Sequence, residues 1–150
     1  MLPEKLKVAT EFGATDTVLA SVDKPWLAAI AALGRGADAV FVTVGAAAAY
    51  TTAPNYLALN GQVIMVGMPP TGALSTYEAS NFAAASQSMV GSKMGDVVIQ
   101  RDIPWIIDLY KQGRLKLDEL ISGRWPLAQI NEAIVDTKTG SAKRNVIHFN

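Results

Sequence analysis

The 150 residues include 13 Lys and Arg against 13 Asp and Glu, one His and no Cys, and half of them are hydrophobic. A chain of this length is typical of one domain with a full hydrophobic core, and without cysteine it cannot form disulfides or thiolate metal sites. Because the net charge is zero and no dense basic tract occurs, we exclude electrostatic binding to nucleic acid or to an anionic membrane surface.

The first quarter of the chain predicts two helices with a short strand between them. Apolar residues recur at helical spacing over residues 3–12, and Gly13 follows as a stop signal. Residues 17–20 form a short apolar run that predicts a strand. A second helix is expected from about Pro25, which suits a first helical turn, to residue 33.

The middle of the chain predicts a parallel strand–helix–strand unit. Residues 39–44 are a continuous apolar run, which indicates a strand buried on both faces. A helix is expected over residues 46–59, although Pro54 starts it late or kinks it. The Asn60-Gly61 pair predicts a turn before a second apolar strand at residues 62–68.

The remaining sequence continues the alternation of strands and helices. We predict strands at residues 74–79, 86–90 and 145–149, and helices at 81–85, from Arg101 to Gly113, and from about 127 to just before Gly140. The predicted fold is therefore α/β: a doubly wound, Rossmann-like and mostly parallel sheet with helices on both faces.

The hydropathy pattern gives an expectation for location. Residues 1–5 mix acidic and basic side chains, unlike a secretory signal. No run approaches the ~18 apolar residues that a membrane span needs. We therefore expect a soluble cytoplasmic protein.

Three predicted strands end in the same dipeptide: Val44-Gly45, Val66-Gly67 and Val90-Gly91. In doubly wound sheets, ligands bind beyond the carboxyl ends of the strands, and glycine there allows a ligand to approach the backbone. The three ends together predict one wall of a binding crevice. The alternative interpretation is that each glycine only begins a tight turn.

The other candidate binding residues have weaker support in the sequence. Residues 34–39 fit the pattern G-x-G-x-x-A, but they follow a helix and precede a strand, the reverse of a phosphate-binding loop. His148 is the only imidazole and cannot form a zinc site without other ligands. Ser92 follows the third strand end, and Arg144 precedes the last strand, where its planar guanidinium could bind phosphate or simply face solvent.

Several segments in combination resemble one family. The sequence is similar to the medium-chain zinc-dependent alcohol dehydrogenases, and to their glutathione-dependent formaldehyde dehydrogenase branch in particular. The segments that carry this resemblance are FGATD at 12–16, GAD at 36–38, FVTVG at 41–45, VGMPP at 66–70, GSKMG at 91–95, residues 101–121, residues 126–133 and RNVI at 144–147.

The resemblance implies a partial dinucleotide-binding domain over residues 1–150. In the family, a catalytic domain with zinc ligands comes first, followed by the first strand of the coenzyme domain and its Gly-rich loop, and this sequence matches neither. It therefore implies no zinc site, weak or absent NAD or NADP binding, and no catalytic residue here. By matched position, the cofactor-binding residues would be Val44, Gly45, Val66, Gly67, Met68, Val90, Gly91, Ser92 and Arg144.

The family's sheet order places the unmatched first strand at the centre, beside residues 39–44. Losing the partners of four buried aliphatic side chains would cost ~6–12 kcal/mol, comparable to the ~5–15 kcal/mol stability of a whole domain. We therefore predict that residues 17–20 pair with 39–43, or that an oligomer covers the edge. Family dimers associate near residues 74–90, so the expected partner is a second copy or a complementing catalytic-domain chain.

Three functions remain open from the sequence. The first is the C-terminal coenzyme-domain portion of an alcohol dehydrogenase-like oxidoreductase, inactive by itself. The second is a non-catalytic module that dimerises or completes a partner. The third is a methyltransferase-like nucleotide-binding sheet, which needs an acidic residue at an early strand end.

Overall fold

A computed structural model describes residues 3–149, which divide into two units, residues 3–97 and 98–149. The elements of the first unit are α1 (Pro3–Glu11), α2 (Pro25–Leu33), β1 (Ala37–Val42), α3 (Ala47–Thr52), a 3₁₀ turn (Ala53–Tyr56), β2 (Leu57–Met65), α4 (Ala79–Ala84), β3 (Ser88–Gly91) and a 3₁₀ turn (Met94–Asp96). Those of the second unit are α5 (Ile99–Lys111), a 3₁₀ turn (Asp118–Leu120), β4 (Ile121–Pro126), a 3₁₀ turn (Leu127–Gln129), α6 (Ile130–Thr139) and β5 (Arg144–His148).

The first unit is built on a three-stranded parallel sheet in the order β1-β2-β3. The apolar runs predicted as strands form β1 and β2, but the prediction that the first of them is buried on both faces is wrong, because Ala39 and Phe41 are exposed. Val63 at the centre of β2 is fully buried, and the core around it also contains Val42, Tyr50, Ala53 and Leu57. The parallel strands and their connecting helices confirm the predicted Rossmann-like α/β fold class.

The predicted turn at Asn60-Gly61 is wrong, because both residues lie inside β2. Ala37 pairs with Leu57 while Ala39 pairs with Gln62, so β2 bulges between these two pairs. Asn60 takes the left-handed conformation that the bulge requires, with φ of 60°. The chain thus uses these turn-forming residues to bend a strand. The helix predicted over residues 46–59 is also too long, because α3 and the 3₁₀ turn end at Tyr56 and residues 57–59 belong to β2.

Two predicted strands are absent. Residues 17–20 form no strand, and the predicted pairing of these residues with 39–43 is wrong, because β1 is paired with β2 alone in the described part of the chain. Residues 74–79 also form no strand before α4 begins. The Ser75 hydroxyl donates to the Ala47 carbonyl at 2.9 Å, and the Thr76 amide donates to the Thr51 hydroxyl at 3.3 Å. This segment therefore binds α3 instead of a neighbouring strand.

The second unit contains a parallel pair, β4 and β5, joined through α6. Strand β4 was not predicted, because its glycine, arginine and proline masked its alternation of half-buried and exposed residues. Asn145 on β5 fixes α6 to this pair. Its side-chain amide donates to the Ala133 carbonyl at 3.0 Å, the Asp136 carboxylate at 2.8 Å and the Thr137 hydroxyl at 3.0 Å.

No helix within residues 3–149 is long and apolar enough to cross a bilayer. The prediction of one partial dinucleotide-binding domain over residues 1–150 stays a prediction, because two units of this kind can belong to a single domain.

Candidate functional site

The carboxyl ends of β1, β2 and β3 lie level with one another. Val42 is opposite Met65, and Met65 is opposite Gly91. Just beyond the strands, the Gly67 amide donates to the Val42 carbonyl at 2.8 Å, and the Ser92 amide donates to the Met65 carbonyl at 3.0 Å. The structure therefore gathers the eight predicted residues of the first unit at one edge of its sheet: Val44, Gly45, Val66, Gly67, Met68, Val90, Gly91 and Ser92.

Two of the three strand-end glycines are required by contact between the loops that follow β1 and β2. A Cβ at Gly45 would lie 2.6 Å from the Met68 carbonyl oxygen. A Cβ at Gly67 would lie 2.7 Å from the Val44 nitrogen and closer still to the Val44 carbonyl group. Main chain therefore fills the space that a ligand would need beside these two α-carbons.

Gly91 differs from the other two glycines. A Cβ built on it meets no atom within 4 Å, and the Val90 side chain before it is partly exposed. This strand end keeps the open approach to the backbone that the sequence predicted for all three.

Tyr50 on α3 ties the first two strand ends together. Its ring is buried in the core, and its hydroxyl donates to the Gly67 carbonyl, with the Val42 carbonyl at 3.5 Å from the same oxygen. The side chain thus fixes the loop after β2 to the end of β1. Sequence analysis missed this residue, and the available signal was an aromatic residue that closes a run of four alanines.

A cavity of about 530 Å³ lies at the ends of β2 and β3. It falls in the size range of small-molecule pockets. Its surface is mainly apolar, and polar groups come from tyrosine and serine hydroxyls. The lining residues are Tyr50, Met65, Gly67, Met68, Pro69, Ser75, Tyr77 and Met89; only Gly67 and Met68 belong to the predicted set.

Arg144, the ninth predicted residue, begins β5 in the second unit. Its amide donates to the Ser122 hydroxyl at 3.2 Å, and its carbonyl accepts from that same hydroxyl at 3.2 Å. These main-chain bonds fix the start of β5 and leave the residue exposed. The role of Arg144 in binding phosphate stays a prediction.

None of the groups with shifted pKa values belongs to the predicted site residues. Partial burial raises the pKa of Tyr56. A hydrogen bond from Arg101, helped by the Val98 amide, lowers the pKa of Asp102, and a hydrogen bond to Asp118 raises the pKa of Tyr110. The strand-end residues contain no acid or base, so their arrangement suits binding and orienting a ligand.

The residues present do not fit a zinc ion. Within the described ranges, no group of three His, Cys, Asp or Glu side chains lies close enough to hold a metal. The sequence has no cysteine and one histidine, which lies half-buried in β5. No chemical step can therefore be assigned to a metal bound by this chain.

The glycine pattern at residues 34–39 has a structural explanation. Gly34 ends α2 in the left-handed conformation, with φ of 73°. A Cβ at Gly36 would lie 2.5 Å from the Ala58 nitrogen on β2. These glycines serve a helix end and a close packing contact, so the rejection of this segment as a phosphate-binding loop agrees with its geometry.

Comparison with known proteins places these features in a family. A family model described as zinc-binding dehydrogenase matches residues 1–112. An NDMA-dependent alcohol dehydrogenase from Amycolatopsis methanolica is 30% identical over 146 residues, which are 95% of this chain and 39% of that relative. A geraniol dehydrogenase from Castellaniella defragrans is 32% identical, with 95% of this chain and 38% of the relative covered.

A solved structure gives the same result for the fold. The alcohol dehydrogenase zinc-binding domain protein from Burkholderia ambifaria is 28% identical and superposes with a TM-score of 0.92, over 99% of this chain and 40% of that one. The chain thus spans about two fifths of the length of the relatives it matches.

Proposed function

Because this chain belongs to the zinc-binding dehydrogenase family, we propose that it supplies the C-terminal part of the coenzyme-binding domain of an NAD(P)-dependent alcohol dehydrogenase-like oxidoreductase. One observation carries the proposal: three parallel strands end level with one another, and the third end presents an open glycine. In parallel α/β sheets, this edge is where dinucleotides bind.

The strand ends suit the nicotinamide end of the coenzyme better than its phosphates. A nicotinamide ring is planar and largely apolar, and at Gly91 the main chain is open to the approach of such a ring. The adjoining cavity is lined by methionine and tyrosine side chains. When bound, the nicotinamide would supply hydride transfer, and these residues would orient the ring.

The described residues also lack groups that catalysis and tight coenzyme binding require. The described residues offer no metal ligand set and no glycine-rich loop between a strand and a following helix, where a pyrophosphate is normally bound. We therefore propose that the isolated chain has no turnover and that it binds NADH only with millimolar affinity. A fluorescence titration that gives micromolar affinity would contradict this.

Replacing Gly91 with valine tests the nicotinamide assignment. A Cβ added at Gly91 meets no atom within 4 Å, so stability is expected to change little while NADH affinity falls at least ~10-fold, equivalent to ~1.4 kcal/mol. Ala32→Val adds similar volume on exposed α2 and is the matched control. Equal affinity for both variants in NADH titrations would exclude Gly91 from the binding surface.

Membership of the glutathione-dependent formaldehyde dehydrogenase branch of the family remains a proposal. The resemblance to glutathione-dependent formaldehyde dehydrogenases rests on motifs in this sequence, but relatives named for other alcohols, geraniol among them, match it as well. Family membership favours the dehydrogenase over the methyltransferase-like alternative.

A second candidate function is an interaction module. The chain of 15.9 kDa has 10805 Å² of accessible surface, whereas a folded monomer of that mass exposes about 7,400 Å². Even two separate domains sharing this mass would expose about 8,800 Å² together. The difference of roughly 2,000 Å² exceeds the ~800 Å² that each partner buries in a standard protein interface, so this chain has ample surface for further polypeptide to cover.

A further inference from the structure

Asn60 and Gly61 form the only asparagine–glycine pair in the sequence. In such a pair, the amide nitrogen of the glycine can attack the side-chain amide of the asparagine, because glycine has no side chain to block the approach. The pair lies near the amino end of β2, whereas the candidate site lies at the carboxyl end of that strand. The function proposed above therefore gives these two residues no role.

The bulge in β2 requires this pair of residue types. Asn60 has a φ of 60°, in the left-handed region that glycine and asparagine adopt most readily. Gly61 is buried, and a Cβ on it would lie 2.9 Å from the Ala37 carbonyl oxygen and 3.0 Å from the Ala58 carbonyl oxygen. Main chain thus excludes a larger residue at position 61. The reactive dipeptide is a consequence of the bent strand.

Two long-range hydrogen bonds fix the main chain around this pair. The Asn60 amide donates to the Ala85 carbonyl at 2.9 Å, and the Gln87 side-chain amide donates to the Ala58 carbonyl at 3.3 Å. Attack on the Asn60 side chain closes a five-membered ring, which requires rotation of the main chain between Asn60 and Gly61. Because these bonds and the strand pairing restrict that rotation, the reaction requires local opening of the bulge.

We propose that Asn60 is a deamidation site and that local opening of the β2 bulge controls its rate. The Gly61 nitrogen forms a bond to Asn60 Cγ, the Cγ–Nδ2 bond breaks, and Nδ2 leaves as ammonia with the proton from the Gly61 nitrogen. Water then adds to one of the two carbonyl carbons of the cyclic imide and opens the ring, which gives aspartate or isoaspartate. The net reaction consumes one water and involves no oxidation, and the exposed position of Asn60 gives water access.

The two products differ in their effect on the strand. Aspartate keeps the length of the main chain and tolerates the left-handed conformation, so the bulge persists with one added negative charge. Isoaspartate adds a carbon atom to the main chain, which disturbs the register that pairs Gln62 with Ala39 and with Ser88. We expect isoaspartate to loosen the sheet at its amino edge. The modification is independent of the proposed coenzyme function.

Deamidation of the full chain with and without guanidinium chloride, at mildly alkaline pH, tests the proposal. Labelling by isoaspartyl methyltransferase measures the isoaspartate formed, and peptide mass spectrometry locates it. We expect Asn60 to react before every other asparagine, and to react ~10–1,000-fold faster in the unfolded chain, because only the opened fraction of the folded chain reacts. A rate ratio outside this range, or earlier reaction at another asparagine, would overturn the proposal.

Gln87→Leu tests the role of the bulge in the folded chain. This variant removes the bond to the Ala58 carbonyl and keeps a side chain of similar size. We expect Asn60 to react ~2–10-fold faster when folded, the range for one lost hydrogen bond, and equally fast when unfolded. Gln100→Leu on exposed α5 is the matched control and is expected to leave the rate unchanged.

Asn60→Gly keeps a residue that adopts the left-handed conformation and removes the reacting amide. We expect it to abolish labelling in the segment around position 60, and circular dichroism checks that each variant folds. A wild-type rate in Gln87→Leu, or labelling of this segment that survives Asn60→Gly, would overturn the proposal. The comparison of folded and unfolded wild type decides the same question without any substitution.

Discussion

Replacing Gly67 with alanine is expected to lower the free energy of unfolding of the first unit by ~3 kcal/mol, at the upper end of the overpacking range. The added methyl would lie 2.7 Å from the Val44 nitrogen and nearer to the Val44 carbonyl group. Main chain cannot rotate away as a side chain can, so the loops after β1 and β2 must separate. Urea denaturation followed by circular dichroism measures the loss.

Gly91→Ala is the matched control for this change. Gly91 also follows a valine at the carboxyl end of the sheet, but its added methyl meets no atom within 4 Å. We expect its unfolding free energy to stay within ~0.5 kcal/mol of the wild type. Similar losses for both alanine variants would mean that contact between the loops does not explain the glycine at position 67.

Replacing Tyr50 with alanine is expected to cost ~3–5 kcal/mol, the range for truncating a large buried aromatic residue. The ring lies in the core, and its hydroxyl donates to the Gly67 carbonyl. Tyr50→Phe keeps the ring and removes only the donor, so we expect a smaller loss of ~1 kcal/mol. Thermal and urea unfolding of both variants separate packing from hydrogen bonding.

Tyr77→Ala is the control for the tyrosine series. Tyr77 lines the same cavity as Tyr50, but its side chain is 53% exposed. Its ring packs on Phe82, with centroids 5.2 Å apart. We expect Tyr77→Ala to lower the free energy of unfolding clearly less than Tyr50→Ala does. If Tyr50→Phe were as damaging as Tyr50→Ala, the hydroxyl would outweigh the ring and the account of the core would be wrong.

The strands that composition predicted most directly are β1 and β2. The runs at 39–44 and 62–68 are mainly apolar, and most of their residues lie in these two adjacent strands. Strand β4 was missed because its polar residues face solvent between half-buried ones and it contains glycine and proline. Its pairing with β5 depends on contacts between distant residues, which local patterns do not encode.

The two strands that were predicted wrongly also show that local sequence patterns do not encode contacts between distant residues. Residues 17–20 have strand-like composition, but a strand exists only beside a partner, and the described chain provides none for them. Residues 74–79 mix apolar residues with Ser75 and Thr76, and these two residues bond to α3. Composition identified where a strand could form, and long-range bonding decided whether one did.

The location of the candidate site could be predicted from the sequence, but the structural reason for each of its glycines could not. Parallel strand ends meet at one edge, so the three Val-Gly pairs were expected to come together, and they do. The identical dipeptides nevertheless have different reasons for their glycines: Gly45 and Gly67 accommodate neighbouring main chain, and Gly91 faces open space. Tyr50, which fixes two of the ends, was outside the sequence prediction because its partners are carbonyl groups.

Backbone amide mapping by NMR is the most direct test that the strand ends form one wall of a nicotinamide site. A ¹⁵N-labelled sample of the full chain would be titrated with NADH into the millimolar range, with adenosine monophosphate as the control for the adenine end. We predict that NADH alone shifts the amides of residues 44–45, 66–68 and 90–92 most strongly. Shifts confined to other surfaces, or none at these positions, would contradict the account.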